Sequence, residues 1–198
     1  DFTERNALPE WEYTKRDGIR RKELVPRASD SDYWRDVGTL EQYWLANLDL
    51  VQPKPRFNVY GERFPLYSAP GHFPPAKFVH ELPGRTGFAV NSLVADGVIV
   101  SGGTVRESVL GSGVYVHSWA TIEKSVLLGG ALRGGVHTET SIGRHCRVKN
   151  AIIDKNVHLS ENVTIGFDRD DDERRGLRTV PIAGSAEHIV VVPKDFAL

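Results

Sequence analysis

The sequence predicts a mainly β protein whose second half winds into a left-handed parallel β-helix of hexapeptide repeats. Three observations lead there. Aliphatic residues recur about every six positions at Val94, Val100, Val105, Leu110, Val116, Ile122 and Leu128. After a two-residue surplus they resume at Val136, Ile142, Val148, Ile153, Leu159 and Ile165. Four positions after most of them stands a second small or β-branched residue, such as Val98, Thr104, Val109, Val114, Ala120, Val126, Thr140, Cys146, Ile152 or Val163. A longer self-similarity lies on top: the stretch from Val105 to Leu110 recurs 17 residues later from Ile122 to Leu127, and a third copy runs from Val148 to Ile153.

A triangular coil with flat sides of about six residues explains this spacing. One aliphatic per side points inward, and the residue four further on is held small near a corner. Glycine and asparagine turn the corners. Stacked coils bury a column of aliphatics, each coil touching only its neighbours. The span from Val94 to Gly166 gives roughly four such coils.

Upstream of the repeats the period differs. Asp17-Gly18 is a turn signal, and Leu24-Val25-Pro26 reads as a short extended piece. Tyr33-Trp34-Arg35-Asp36-Val37 reads as a strand that Gly38 breaks. Thr39 followed by Gln42 forms a capping-box signature, and Leu40, Tyr43, Trp44, Leu48 and Val51 then fall on one helical face. Six prolines between Pro53 and Pro75 remove backbone donors and fix φ, so residues 53–92 are expected to be an extended connector. Its aromatics, Phe57, Tyr60, Phe64, Tyr67, Phe73 and Phe78, should pack on whatever it crosses. Three zones follow: 1–52, 53–92 and 93–198.

Composition excludes some classes. Of 198 residues, 40% are hydrophobic and 26% charged, with a formal net charge of −1, so no basic field points to nucleic acid. No apolar run reaches the ~18 residues of a membrane span. The stretch from Asp1 to Arg5 lacks the basic start and apolar core of a signal peptide. A single cysteine, Cys146, suits a reducing cytoplasm. The chain has no methionine and begins at Asp1, which reads as part of a larger protein.

Several residue types could carry chemistry. His117, His137, His145 and His158 raise a hexapeptide acyltransferase, which uses a histidine base. However, His117 and His137 stand at outward positions, and a surplus of two residues at 128–136 is short for the long loop such enzymes carry. Asp168, Asp170 and Asp172 begin like a calcium loop, but Glu173 and Thr179 occupy the positions that need Gly and Glu, so a solvated charged loop is expected. Cys146 falls at a small inward position and reads as core. Asp36, at the end of a short strand just before Gly38 and a helix start, is the strongest candidate, because a carboxylate there can be held rigidly while facing a cleft.

The block Tyr33-Trp34-Arg35-Asp36-Val37-Gly38-Thr39 resembles the glucose-1-phosphate adenylyltransferases, also called ADP-glucose pyrophosphorylases. The likeness continues from Tyr43 to Leu50 and through Pro74-Pro75-Ala76-Lys77-Phe78-Val79, the stretch from Asn91 to Val94, Ser125-Val126-Leu127 and Ile152-Ile153-Asp154-Lys155. The resemblance implies a left-handed β-helix preceded by the C-terminal remnant of an α/β nucleotidyltransferase domain. It implies an enzyme that makes ADP-glucose and pyrophosphate from ATP and glucose 1-phosphate with Mg²⁺, for glycogen synthesis. On that likeness Asp36 is a catalytic and metal-holding residue, and Trp34 lines the sugar pocket. Lys155, and more loosely Lys194, would contact an anionic allosteric effector. The resemblance also implies a cytoplasmic homotetramer with neither nucleic acid nor membrane as partner.

The family's glycine-rich nucleotide loop, second metal aspartate and phosphate-gripping lysine lie upstream of this sequence, so the chain alone is expected not to turn over. The nucleotide-reading residues are also upstream. This leaves open another sugar-1-phosphate nucleotidyltransferase, or a non-catalytic regulatory or β-helix assembly subunit.

Overall fold

The computed structural model describes residues 10–25, 33–57, 59–60, 73–130, 132–133 and 136–198. It opens on an antiparallel hairpin, Glu10–Arg16 paired with Ile19–Val25. Asp17 and Gly18 both take left-handed φ, 51° and 78°, as a two-residue hairpin turn of type I′ requires. The expected extended Leu24-Val25 ends its second strand, and Pro26 lies outside the described residues.

Tyr33 to Val37 does not form the expected strand. The Asp36 side chain instead takes the Gly38 N–H, 2.9 Å from Oδ1, which folds the chain into a local turn in place of a ladder. Helix α1 then spans Leu40–Leu50, with the Thr39 hydroxyl accepting from the Gln42 N–H at 3.2 Å, as the capping signature requires.

The remaining chain coils around three parallel sheets. The first face stacks Lys77–Val79, Ile99–Ser101, Val114–Val116, Thr140–Ile142 and His158–Leu159. The second stacks Phe88–Val90, Thr104–Arg106, Thr121–Glu123, Arg147–Lys149 and Thr164–Ile165. The third stacks Leu93–Val94, Val109–Leu110, Val126–Leu127, Ala151–Ile153 and His188–Val192, and ends on the antiparallel edge strand Arg178–Pro181. This is the left-handed parallel β-helix of hexapeptide repeats that the spacing predicts. Val100, Val105, Leu110, Val116, Ile122, Ile142, Val148, Ile153, Leu159 and Ile165 form its core column. At the far end the C-terminal tail closes the first face: the His158 N–H donates to the Phe196 carbonyl, and the Leu198 N–H to the His158 carbonyl.

Four details depart from the sequence expectation. The stack begins at Lys77, so the stretch expected to be a connector already supplies the first rung. Its strands fit between prolines, at 77–79 and 88–90. The inward leucine of the third rung is Leu127, which pairs with Leu110 and Ile153, and Leu128 is only half-buried. The step from second to third face takes five residues where six were expected, because one left-handed residue makes that corner: Asn91, Glu107, Lys124 or Asn150, with φ between 45° and 48°. This shortening turns the residue four after each second-face aliphatic outward. Val126 and Ile152 are buried by α1 and the C-terminal strand, outside the coil. Finally, the rung repeat of 17 residues lengthens to 26 between Ile122 and Val148, a surplus of nine rather than two. The extra chain forms the antiparallel pair Leu132–Arg133 and Val136–His137, so Val136 leaves the ladder.

The five-residue corner is held by a ladder of serines. Ser92, Ser108 and Ser125 each donate a hydroxyl to the carbonyl two residues before, at 2.9, 2.6 and 2.7 Å. Each hydroxyl oxygen also accepts the backbone N–H of the next rung: Ser108, Ser125 and finally Ala151, all at 3.1 Å. Ser125 is fully buried, so Ser125→Ala strands the Ala151 N–H without its partner. The expected loss is about 1–3 kcal/mol of unfolding free energy. Denaturant titration checks it, and an unchanged midpoint and slope would contradict the ladder's role.

Candidate functional site

Tyr33 to Asp36 is an extended stretch whose sides alternate. Tyr33 and Arg35 are half-buried, while Trp34 and Asp36 are exposed, Trp34 at 76%. Tyr33 stacks on Phe57 with ring centroids 5.6 Å apart, and Arg35 forms an ion pair with Asp49 in the last turn of α1. Asp36 and Trp34, the two residues the resemblance singles out, therefore project from the open side of one segment. Gly38 matters to that carboxylate: a Cβ there would sit 3.2 Å from Oδ1 and 3.4 Å from Oδ2 of Asp36.

Helix α1 ties this segment to the β-helix. The Trp44 indole N–H donates to the Lys124 corner carbonyl at 2.8 Å, and its ring is buried against Val126, Ile152 and Ile189. Glu41 Oε1 accepts the Ala183 N–H at 2.7 Å.

Lys155 and Lys194 are brought together. Ile153 pairs with Val192, and the corner after each strand carries one of the two lysines. The Asp195 N–H donates to the Lys155 carbonyl at 3.1 Å, and Asn156 Nδ2 to Asp195 Oδ1 at 2.7 Å. Both lysines are exposed, on successive rungs of one corner. The nine-residue excursion leaves the coil at the same corner one rung earlier, where Gly129 accepts the Asn156 N–H. Sequence reading placed the two lysines near an effector but had no means of seeing them adjacent, because their register of 39 residues crosses the irregular stretch before His188.

Two of the candidate histidines lie against aromatic rings. His145 stacks on Trp119 with centroids 4.8 Å apart and planes 5° apart. His117 lies 4.3 Å from the Tyr115 ring, and partial burial, then the Arg144 charge, pushes its pKa below the usual imidazole value. His158 is exposed on the last first-face strand, and the His137 side chain lies outside the described residues. Cys146 is fully buried, donates to the Ser160 carbonyl, and is pushed up chiefly by burial, as a core thiol should be.

The expected charged loop at 168–172 is instead a short capped helix, α2 (Arg169–Arg174), because Asp168 accepts the Asp171 N–H and starts it. Asp172 points inward at 1% exposure. Its Oδ2 accepts the Gly166 N–H at 3.0 Å and faces His188 Nε2 at 3.3 Å, while Oδ1 is buried without a partner. No spacing in the sequence announces this pair. Among the described residues no group of three or more His, Cys, Asp or Glu could hold a metal ion, and no helix is long and apolar enough to cross a membrane.

A stack of this kind defines a class of protein: a family model described as GlmU-like, C-terminal hexapeptide matches residues 74–192, and the chain belongs to that family. Its full-length relatives are more particular. The chain is similar to curated proteins named glucose-1-phosphate adenylyltransferase. The relative from Bifidobacterium longum is 46% identical over 168 residues, covering 85% of this chain and 37% of the relative. That from Deinococcus deserti is 41% identical over 190 residues, covering 96% and 43%. That from Teredinibacter turnerae is 45% identical over 148 residues, covering 75% and 33%. The chain thus spans well under half the length of these relatives. The resemblance seen in the Tyr33–Thr39 block agrees with these matches.

Burial pushes the Asp172 carboxyl above its ordinary value, against the opposing pull of the Gly166 N–H, His188 and Arg175. A raised folded pKa favours the fold while the group is protonated, and that contribution is lost as pH rises through the raised value. Asp172→Asn should therefore melt higher than the parent at neutral pH, with the gap closing as pH falls towards about 4. Melting curves across that range check it; a variant less stable by the same margin at every pH would contradict the assignment.

Proposed function

We propose that this chain is the C-terminal portion of a glucose-1-phosphate adenylyltransferase, which joins ATP and glucose 1-phosphate into ADP-glucose with release of pyrophosphate. The observation that carries this reading is identity of 41–46% over 75–96% of the chain. The matches over most of the chain extend beyond the hexapeptide region, which begins at residue 74.

In this reading Asp36 is a catalytic and metal-holding residue. One of its oxygens accepts the Gly38 N–H, and the carboxylate is exposed on a held segment. A hard carboxylate oxygen suits Mg²⁺, which usually takes one or two carboxylates and completes its shell with phosphates and water. Asp36 therefore fits as one ligand, the others coming from outside this chain. When bound, Mg²⁺ screens phosphate charge during nucleotidyl transfer. Trp34, projecting from the same side, offers an apolar wall to the sugar. The β-helix supports a homotetramer. Lys155 and Lys194, two ammonium groups on neighbouring rungs, suit a phosphate-bearing effector.

Steady-state kinetics of the full-length enzyme tests both sites. Asp36→Asn should lower kcat about a hundredfold or more. Lys155→Ala, and more so the double variant with Lys194→Ala, should raise the half-activating concentration of a sugar-phosphate or nucleotide effector about fivefold or more. Near-parental kcat in the first, or an unchanged half-activating concentration in the others, would overturn the corresponding assignment.

A further inference from the structure

We infer that Arg35 and Asp49 are a positioning pair that fixes the direction in which the Asp36 carboxylate points; the inference rests on the catalytic reading of Asp36 above. Among the described residues, the segment that carries Asp36 pairs with no strand. Three contacts replace one. Tyr33 stacks on Phe57, Arg35 is ion-paired with Asp49, and the Gly38 N–H grips Asp36 Oδ1. Because alternate residues of an extended chain face opposite sides, anchoring 33 and 35 inward sends 34 and 36 outward together. The ion pair is the anchor immediately next to Asp36.

Asp49 is a suitable post. It lies in the last turn of α1, where Asn47 Nδ2 also donates back to the Tyr43 carbonyl, and the helix is held by Trp44 on Lys124 and by Glu41 on Ala183. The contact runs from Arg35 Nη1 to Asp49 Oδ2, and that buried oxygen makes no hydrogen bond among the described residues, so the pair holds by charge. Both side chains of the pair remain about a quarter to a third exposed, at 26% and 30%. An ion pair so placed adds little to global stability. What it removes is freedom of the backbone at residue 35. The Gly38 contact completes the clamp, since any larger residue there would crowd the carboxylate.

The test uses the full-length enzyme with Arg35→Ala, Asp49→Asn, the charge swap Arg35→Asp with Asp49→Arg, and Asp36→Asn alongside. Misplacing a reacting group by about 1 Å costs up to roughly a hundredfold, so Arg35→Ala and Asp49→Asn should lower kcat between about tenfold and a hundredfold. KM for ATP should stay within about twofold of the parent, since a pair that acts through Asp36 alters turnover rather than nucleotide binding. The melting temperature should hold, the Gly38 amide should exchange faster with deuterium, and the charge swap should restore part of kcat and of that protection. If Asp36→Asn abolishes turnover while Arg35→Ala and Asp49→Asn keep parental kcat and Gly38 protection, the positioning role is wrong. If Asp36→Asn itself stays active, the underlying reading of Asp36 is what fails.

Discussion

The Trp44 indole determines where helix α1 and the Asp36 segment lie against the β-helix. Its ring fills the space outside the third face, against Val126, Ile152 and Ile189, and its N–H takes the Lys124 carbonyl at the corner. An aromatic side chain of this size buries roughly 150–250 Å², or roughly 4–6 kcal/mol of gross transfer energy. The hydrogen bond adds direction, since a ring held at one polar atom can seat in one way only. Helix α1 is thereby fixed in rotation and height, and through Asp49 and Thr39 so is the segment that ends at Asp36.

That docking surface exists because of a one-residue economy in the coil. Had the third side followed after six residues, Val109, Val126 and Ile152 would have turned into the interior. A single left-handed residue at the corner shortens the step, and the serine ladder supplies the donor and acceptor that the tight turn needs. The result is a sheet with two apolar sides: Leu110, Leu127 and Ile153 inward, and Val109, Val126 and Ile152 outward. The other two faces are more polar outward, with threonine, arginine, glutamate and lysine on the second and lysine, tyrosine, serine and histidine on the first, so the third is the face on which α1 settles.

The sequence discloses these features unevenly. Repeats, the Thr39 cap and the Asp17-Gly18 turn are legible because each is a local rule with a local signature. Leu127 and Leu128 are both leucines: the six-residue period points to Leu128, the 17-residue repeat to Leu127, and the five-residue corner agrees with the repeat. The first rung hides behind prolines and carries Ala89 where a larger aliphatic would have announced it. Burial alternates from Tyr33 to Asp36, but among the described residues no strand pairs with that stretch, so it forms no strand. Asp36, Trp34, Lys155 and Lys194 come from the resemblance. That the two lysines share a corner, and that Asp172 is buried against His188, are facts of three-dimensional register that no short motif encodes.

Native-state hydrogen exchange in the intact protein tests the central claim, that α1 and the third face form one packed unit, most directly. The amides of the last turns of α1 should exchange with the same opening free energy as those of Val126–Leu127 and Ala151–Ile153. Trp44→Phe, which keeps an aromatic ring but removes the indole N–H, should release α1 first. Exchange of the α1 amides at free-peptide rates in the parent protein, while the third face stays protected, would contradict the account.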